Sequence, residues 1–401
     1  MKKLISLLVL FLVAQSTAMA QSPREGSWKG VIVYSNAEIP FTFEVVYPEN
    51  AGAPILTFIN GKDRASLEAI QRNDSLIIPM FAFDITLSMA IGEKKMQGEL
   101  VKHYSNKSYS FEAEYGLPRY DIEEENDPVQ IGSKWSMKVN VGTQNEYPAV
   151  ALFEQDGNKV TGTIMTEVSD YRFFEGKIEG NEIEMSTFDG VHSFLFKGTR
   201  ENGKWKGELV LDDGYSRKWE AEYDENASLT DPFEVVDLEG KQVKPDFEKL
   251  TALSGEGIIA DSYKGKVLII QIMGTWCSNS QDQTRYLTDW YEENRDRGVE
   301  ILAVNYEANY SPEYGQSRIK TYKERLGIHY PMILGGELNK KLAADAFPFI
   351  DRIMAFPTLV FVGKEGYARY VHSYFTGPAT VEYYEGFKRR FNTIVDELTS
   401  E

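Results

Sequence analysis

The sequence predicts a multidomain protein: a duplicated antiparallel all-β N-terminal half, built as small barrels or sandwiches, followed by a C-terminal α/β domain. Three observations carry this reading. Residues 24–225 hold short alternating segments separated by turn signals, with almost no helical periodicity. Five short matches recur within that half, in one order, at offsets of 105 to 109 residues. From residue 232 the pattern changes to continuous apolar runs alternating with amphipathic stretches.

The chain opens MKKLISLLVLFLVAQSTAMA. Lys2 and Lys3, the apolar run 4–14 and the small-x-small Ala18-Met19-Ala20 read as a secretory leader, residues 1–20, cut before Gln21. The run is shorter than the roughly 20 residues a membrane span needs. No cysteine follows the cleavage region, so a lipid-anchored N-terminus is not expected. The expected location is the periplasm, without a stable membrane anchor.

The first β repeat is placed at residues 24–120 and the second at 130–225. Trp28 matches Trp135, Pro40 matches Pro148, and FAFD ending at Asp84 matches STFD ending at Asp189. MQGEL matches WKGEL, and YSFEAEYG matches RKWEAEYD. Glu-Gly-Asn-Glu (179–182) and Glu-Asn-Gly-Lys (201–204) read as hairpin turns. Asp84 and Asp189 are assigned to turns rather than to catalysis. Charged, proline-ended linkers are expected at 121–128 and 224–232. A ligand in the interior or mouth of a barrel, or a docking face, is the functional expectation for this half.

The C-terminal domain is placed at 232–401. PFEVVDLEGKQVK reads as a hairpin turning at Glu239-Gly240. The apolar run from Val267 to Met273 suits a central strand buried on both faces. Tyr286, Leu287, Trp290 and Tyr291 mark a helix that ends at Gly298. VEILAVNY is a second buried strand, and Ser311-Pro312 starts the next helix. YPMIL is a short strand and LNKKLAADAF a short helix. TLVFVGKEGYARYVHSYF is a hairpin, and an amphipathic helix closes the chain.

The full chain has a formal charge of −18, or −20 once Lys2 and Lys3 leave with the leader, which argues against nucleic acid and anionic lipid as partners. Its four histidines are far apart, and with one cysteine there is no transition-metal motif; no metal and no cofactor are expected. That one cysteine, Cys277, also excludes an internal disulfide. An odd thiol in an oxidising compartment is a liability unless buried or used, and a Cys277-linked dimer is compatible with it.

Cys277 follows the central strand and opens a helix, where free N–H groups and the helix dipole favour a thiolate. Trp276 before it, the Gly274-Thr275 break and the polar Ser278-Asn279-Ser280 after it argue for exposure. GKVLIIQIMGTWC and Phe356-Pro357-Thr358 resemble the active-site entry and the cis-proline loop of the thioredoxin superfamily, in particular its TlpA/ResA-like thiol–disulfide oxidoreductases; YPMILGG and FTGPAT are similar to one branch of that group. The resemblance covers about residues 232–400. It implies a thioredoxin-like fold, Cys277 as nucleophile, Ser280 as its hydrogen-bonding support, and Trp276, Phe356 and Pro357 as the substrate-binding surface.

Two departures matter. The family's Cys-x-x-Cys is here Cys277-Ser278-Asn279-Ser280, so a mixed disulfide can form but Ser280 cannot resolve it. The acidic residue three positions after the second motif cysteine is Gln283, and the buried acid of thioredoxin, six residues before the first, is Gln271; neither titrates. The family's proton-handling position, Gln283, is thus inert, and Glu307, just past the strand at 299–306, is the nearest carboxylate that could take over, while Asp282 is expected to face away from the site. Peroxidatic chemistry is not expected, because Ile270 and Gly274 hold the proline and threonine positions of Pro-x-x-x-Thr-x-x-Cys. Two functions remain: single-thiol exchange on envelope proteins that bear cysteines or disulfides, or a redox-inactive thioredoxin-fold binding scaffold.

Overall fold

The computed structural model describes residues 22–49, 53–80, 83–123, 129–254, 260–308 and 311–401. The expected leader at 1–20 and residues 124–128 of the first expected linker lie outside them.

The first copy is a nine-stranded antiparallel sheet. Its strands are β1 (Gly26–Val33), β2 (Glu38–Val46), β3 (Ile55–Asn60), β4 (Asp63–Glu68), β5 (Ile70–Arg72), β6 (Ser75–Met80), β7 (Ile85–Ala90), β8 (Lys95–Lys102) and β9 (Lys107–Tyr115). They lie in the order β4-β3-β2-β1-β9-β8-β7-β6-β5. The second copy is a closed barrel of β10 (Lys134–Val139), β11 (Tyr147–Asp156), β12 (Lys159–Thr166), β13 (Phe174–Glu179), β14 (Glu182–Phe188), β15 (Ser193–Glu201), β16 (Lys204–Val210) and β17 (Ser216–Tyr223).

The two copies carry the same lock. Trp28 Nε1 donates to the carbonyl of Arg24 at 2.9 Å, and Trp135 Nε1 donates to that of Ile131 at 2.8 Å. Each tryptophan faces a tyrosine on the last strand of its copy, Tyr115 or Tyr223. The rings meet edge-on with centroids 5.3 and 5.6 Å apart, a favourable aromatic geometry. Turns sit where the sequence places them. Asn202 and Gly203 take φ of 53° and 82° in the two-residue loop between β15 and β16, the left-handed pair that matches strand twist.

The barrel interior is packed, which answers the expectation of an enclosed ligand: Trp135, Phe153, Phe174, Phe196, Trp205 and Trp219 fill it, with Phe196 stacked on Trp219 at 4.3 Å. The open sheet shares its core with the barrel through Phe188, Val191, Leu195 and Val210. Phe188 sits 4.5 Å from Phe41 and 5.1 Å from Phe58, ring to ring. Lys102 of the sheet pairs with Asp212 of the barrel at 2.8 Å, and His192 Nδ1 lies 2.9 Å from the same carboxylate.

The C-terminal domain is a five-stranded sheet flanked by helices. Its elements are α1 (Phe247–Ser254), β18 (Val267–Met273), α2 (Ser278–Asn294), β19 (Val299–Glu307), α3 (Pro312–Leu326), β20 (Met332–Glu337), α4 (Lys340–Ala344), β21 (Thr358–Val362), β22 (Ala368–His372) and α5 (Glu382–Ser400). The strand order is β20-β19-β18-β21-β22. β18 runs parallel to β19 and antiparallel to β21, and every residue of it is buried, as its unbroken apolar run requires. α2, α3 and α5 cover one face, and α1 and α4 the other. Ser311 caps α3 by accepting from Tyr314 N, with Pro312 behind it, and Gly298 and Gly327 adopt left-handed conformations after the helical runs.

The hairpin expected from 232 to 244 does not form. The turn at Glu239-Gly240 is present, with Lys241 N on Leu238 O at 3.0 Å, but no strand flanks it. The carboxylates of Asp231 and Asp237 instead take the N–H groups two residues on, each at 2.9 Å, which competes with ladder formation. Among the described residues no helix is long and apolar enough to cross a membrane.

Candidate functional site

The site begins where β18 stops. Gly274 breaks the apolar strand because an added Cβ would lie 2.3 Å from Trp276 Nε1. The indole can therefore fold back, donate to Tyr306 O at 2.9 Å and lie edge-on to Phe356 at 5.9 Å. Cys277 is the N-cap of α2, in an extended conformation, with its carbonyl accepting from Gln281 N at 3.0 Å. Its Sγ lies 3.2 Å from the carbonyl oxygen of Phe356 and donates to it. The Phe356–Pro357 peptide bond is cis. Cys277 and Trp276 of the β18–α2 turn and Phe356 and Pro357 of the loop before β21 are thus gathered at one point, with Tyr306 of β19 holding the indole.

The backbone N–H groups of Asn279 and Ser280 and the Ser280 hydroxyl favour charge on the sulfur, and Arg172 of the barrel acts in the same direction. Burial is the larger effect. Cys277 is only 9 % exposed, and its thiol is pushed above the ordinary value. The expectation of an exposed thiol is therefore overturned, and burial opposes its ionisation. Residues 278–284 at the start of α2 are polar yet all buried. Gln283 and Thr284 turn into the domain's own core against Gln271, whereas Asn279 and Asp282 take their partners from the second β copy.

The segment that meets the start of α2 is the loop between β12 and β13, residues 167–173. Asp170 Oδ1 accepts from Asn279 Nδ2 and from Gly377 N, both at 2.6 Å. Arg172 Nη1 pairs with Asp282, and its Nε donates to Asp189 Oδ2 at 2.9 Å. Burial opposes the Arg172 charge, but the carboxylates of Asp282, Asp189 and Asp170 outweigh it and hold the guanidinium firmly protonated. Burial raises the Asp170 carboxyl, with Arg172 opposing it. Asp282 does face this cluster rather than the thiol. Asp84 and Asp189 both sit in turns; Asp84 accepts from the Tyr314 hydroxyl of α3 at 2.7 Å and so ties the first copy to the C-terminal domain, while Asp189 accepts from Arg172, Val191 and His192 of its own copy.

Glu307 ends β19 beside the turn before Cys277. Its Oε1 accepts from Thr275 Oγ1 and Asn305 Nδ2, both at 2.7 Å, while Asn305 Oδ1 accepts from Thr275 N at 3.0 Å. Burial raises its carboxyl above the usual range. Gln283 does not join the thiol. Its Oε1 accepts from Gln271 Nε2 at 3.1 Å in the core, so two amides pair and neither carries a proton to the site. Among the described residues no cluster of His, Cys, Asp or Glu is arranged to hold a metal ion.

The sequence reading missed Asp170, Arg172, Asn279 and Gly377. A signal for the first two existed: the β12–β13 loop has seven residues (167–173), whereas the aligned turn of the first copy, between Asn60 and Asp63, has two.

Residues 240–371 match the model of the AhpC/TSA family. The thiol-disulfide oxidoreductase ResA of Halalkalibacterium halodurans is 30 % identical over 138 residues, 34 % of this chain and 69 % of that protein. The ResA of Geobacillus kaustophilus is 29 % identical over 140 residues, 34 % of this chain and 70 % of that protein. A thiol:disulfide interchange protein of the thioredoxin family from Chlorobium tepidum TLS matches in structure at 22 % identity, over 35 % of this chain and 84 % of that one, with a TM-score of 0.27. Through a thioredoxin-like domain that carries the thiol at a helix N-terminus beside a cis-proline, this chain belongs to the TlpA/ResA-like family of thiol–disulfide oxidoreductases.

Proposed function

We propose that the protein carries out thiol–disulfide exchange through the single sulfur of Cys277, on envelope proteins that bear cysteines or disulfides, after export to the periplasm. The observation that carries this reading is the seat of the sulfur: the N-cap position of α2, where Asn279 and Ser280 favour its charge, with the Phe356 carbonyl ahead of the cis-proline opposite. Such a cradle favours charge on sulfur once the site is open. The Cys277 thiolate attacks one sulfur of a partner disulfide. A new S–S bond forms, the partner's other sulfur leaves as a thiolate and takes a proton, and Cys277 is oxidised as the partner is reduced. Ser280 cannot reverse this, so an external protein or small-molecule thiol must attack the mixed disulfide and release Cys277. In this reading Trp276, Phe356 and Pro357 form the partner-facing wall, and Glu307 holds the 274–277 turn through Thr275, with Gln283 left to the core.

The burial of Cys277 favours a second reading, a binding scaffold with a dormant thiol. The two are separated by incubating the protein with an aromatic disulfide such as dithiobis(nitrobenzoate). Exchange predicts one equivalent of released thiolate and a mixed disulfide that is absent in Cys277→Ser and is cleared by added thiol. No release from native protein, nor from Asp170→Ala protein whose β12–β13 loop has lost its hold on α2, with one equivalent released after unfolding, favours the scaffold.

A further inference from the structure

The β12–β13 loop is built to sit where it does. It is fastened to β12 by Thr166 N on Ser169 O at 2.8 Å and Tyr171 N on Ile164 O at 2.9 Å, and braced within itself by Arg172 N on Asp170 Oδ2 at 3.1 Å. Arg172 holds a left-handed φ of 62°, which a non-glycine residue adopts only when its surroundings compel it. The opposite wall is shaped to receive it. A Cβ on Gly377 would lie 2.9 Å from Asp282 Oδ2, 3.4 Å from Asp170 Oδ1 and 3.7 Å from Arg172 Nη1, so the absent side chain makes room for all three. Asn279 donates to Asp170 at 2.6 Å and to the Phe375 carbonyl at 3.4 Å, bridging the loop, the start of α2 and the 375–377 segment.

We infer that residues 169–173 occupy, within the same chain, a peptide-docking face of the thiol site, and that a partner reaches Cys277 only by displacing them. The chemistry of the occupant defines that of the partner. The face offers two donors, Asn279 Nδ2 and the Gly377 N–H, to a carboxylate, and one buried carboxylate, Asp282, to a cation. The matching partner is an extended segment with an acidic side chain and, two residues on, a basic one, next to its cysteine or disulfide. The choice of face rests on the thiol-exchange reading; the occupancy itself is a question of access and is tested without exchange.

The test is the rate at which iodoacetamide alkylates Cys277 in the full chain. Asp170→Ala removes the acceptor, and Gly377→Ala crowds the loop out from the other side. Each variant is expected to react about tenfold or more faster than wild type, as for a group freed from a stable local closure. Asp170→Asn, which keeps a side-chain acceptor, is expected to stay within about twofold of wild type. A synthetic peptide of residues 166–175, TEVSDYRFFE, should slow alkylation of Asp170→Ala, and a scrambled peptide should not. Both alanine variants folded and reacting at the wild-type rate would overturn the occupancy, whatever the aromatic disulfide does. Faster alkylation without peptide protection would overturn the partner chemistry. Faster alkylation with no mixed disulfide would leave the occupancy standing and sink the exchange reading instead.

Discussion

The two β copies share their strands and differ in closure. In the second copy β13 pairs with β12 on one side and β14 on the other, and the barrel shuts. The corresponding stretch of the first copy is cut in two: β4 pairs only with β3 and β5 only with β6, with Ala69 between them bonding back to Pro54 O at 2.9 Å. The first copy is an eight-stranded barrel opened at one strand. The turn before the break is two residues long in the first copy, and the loop in the same place in the second is seven. Duplication kept what folds a copy, the Trp–Tyr lock and the strand register. The loops were free to diverge, and one of them bonds to the start of α2 beside the thiol.

The largest expected effect breaks the copies apart. The open sheet shares its core with the barrel, and the largest barrel side chain in it is Phe188, packed on Phe41 of β2 and Phe58 of β3. Phe188→Ala should cost about 3–5 kcal/mol. Hydrogen exchange should show amide protection falling more in the first copy than in the second. Equal losses in both would mean that the sheet closes its core unaided.

Next comes the ion pair between copies. His192 and Lys102 outweigh burial and hold the Asp212 carboxyl well below the usual carboxylate range. A carboxyl whose folded value is depressed stabilises the fold above its unfolded value, near 4, and that contribution is lost as pH falls below it. Asp212→Asn should cost on the order of 1–3 kcal/mol at neutral pH. It should also flatten the fall in stability below about pH 4 in acid denaturation profiles.

A similar sign holds for His372 in the C-terminal domain, where burial lowers the imidazole to about 3. Its contribution is present above the unfolded value of about 6.5 and is lost as pH falls from there towards 3. Stability should drop by about 2 kcal/mol from this group between roughly pH 7 and pH 5. His372→Gln, less stable overall, should lose that slope in urea titrations at the two pH values.

The smallest effect sharpens the comparison. The first copy reaches the C-terminal domain through Asp84 and Tyr314. Asp84→Asn, which tolerates the left-handed φ of 55°, should cost about 1 kcal/mol or less and leave the alkylation rate of Cys277 unchanged. A faster rate would show that both copies, not the second alone, close the site.

Most of this fold was legible because its signals are local. The unbroken apolar run became β18, Ser311-Pro312 became the start of α3, and the five matched motifs became two related β units. The Phe356-Pro357 pair reads the same way in sequence and structure. What failed was non-local. Ser-Asn-Ser after Cys277 looked like a solvated surface, yet Asn279 is buried against Asp170, more than a hundred residues upstream. Polarity marks a group that needs partners and does not say whether water or another domain supplies them. The 232–244 hairpin failed for a related reason: Asp231 and Asp237 capture the N–H groups that a ladder needs.

The central claim is that the thiol cradle is intact and closed by the chain's own barrel. The most direct measurement is the rate of Cys277 alkylation in the native full-length protein as a function of pH. The account predicts slow reaction at neutral pH, with a midpoint above the free-thiol value of about 8.5. Rapid alkylation at pH 7 with a midpoint near 6 or 7, the range of an open helix-capping thiolate, would contradict it.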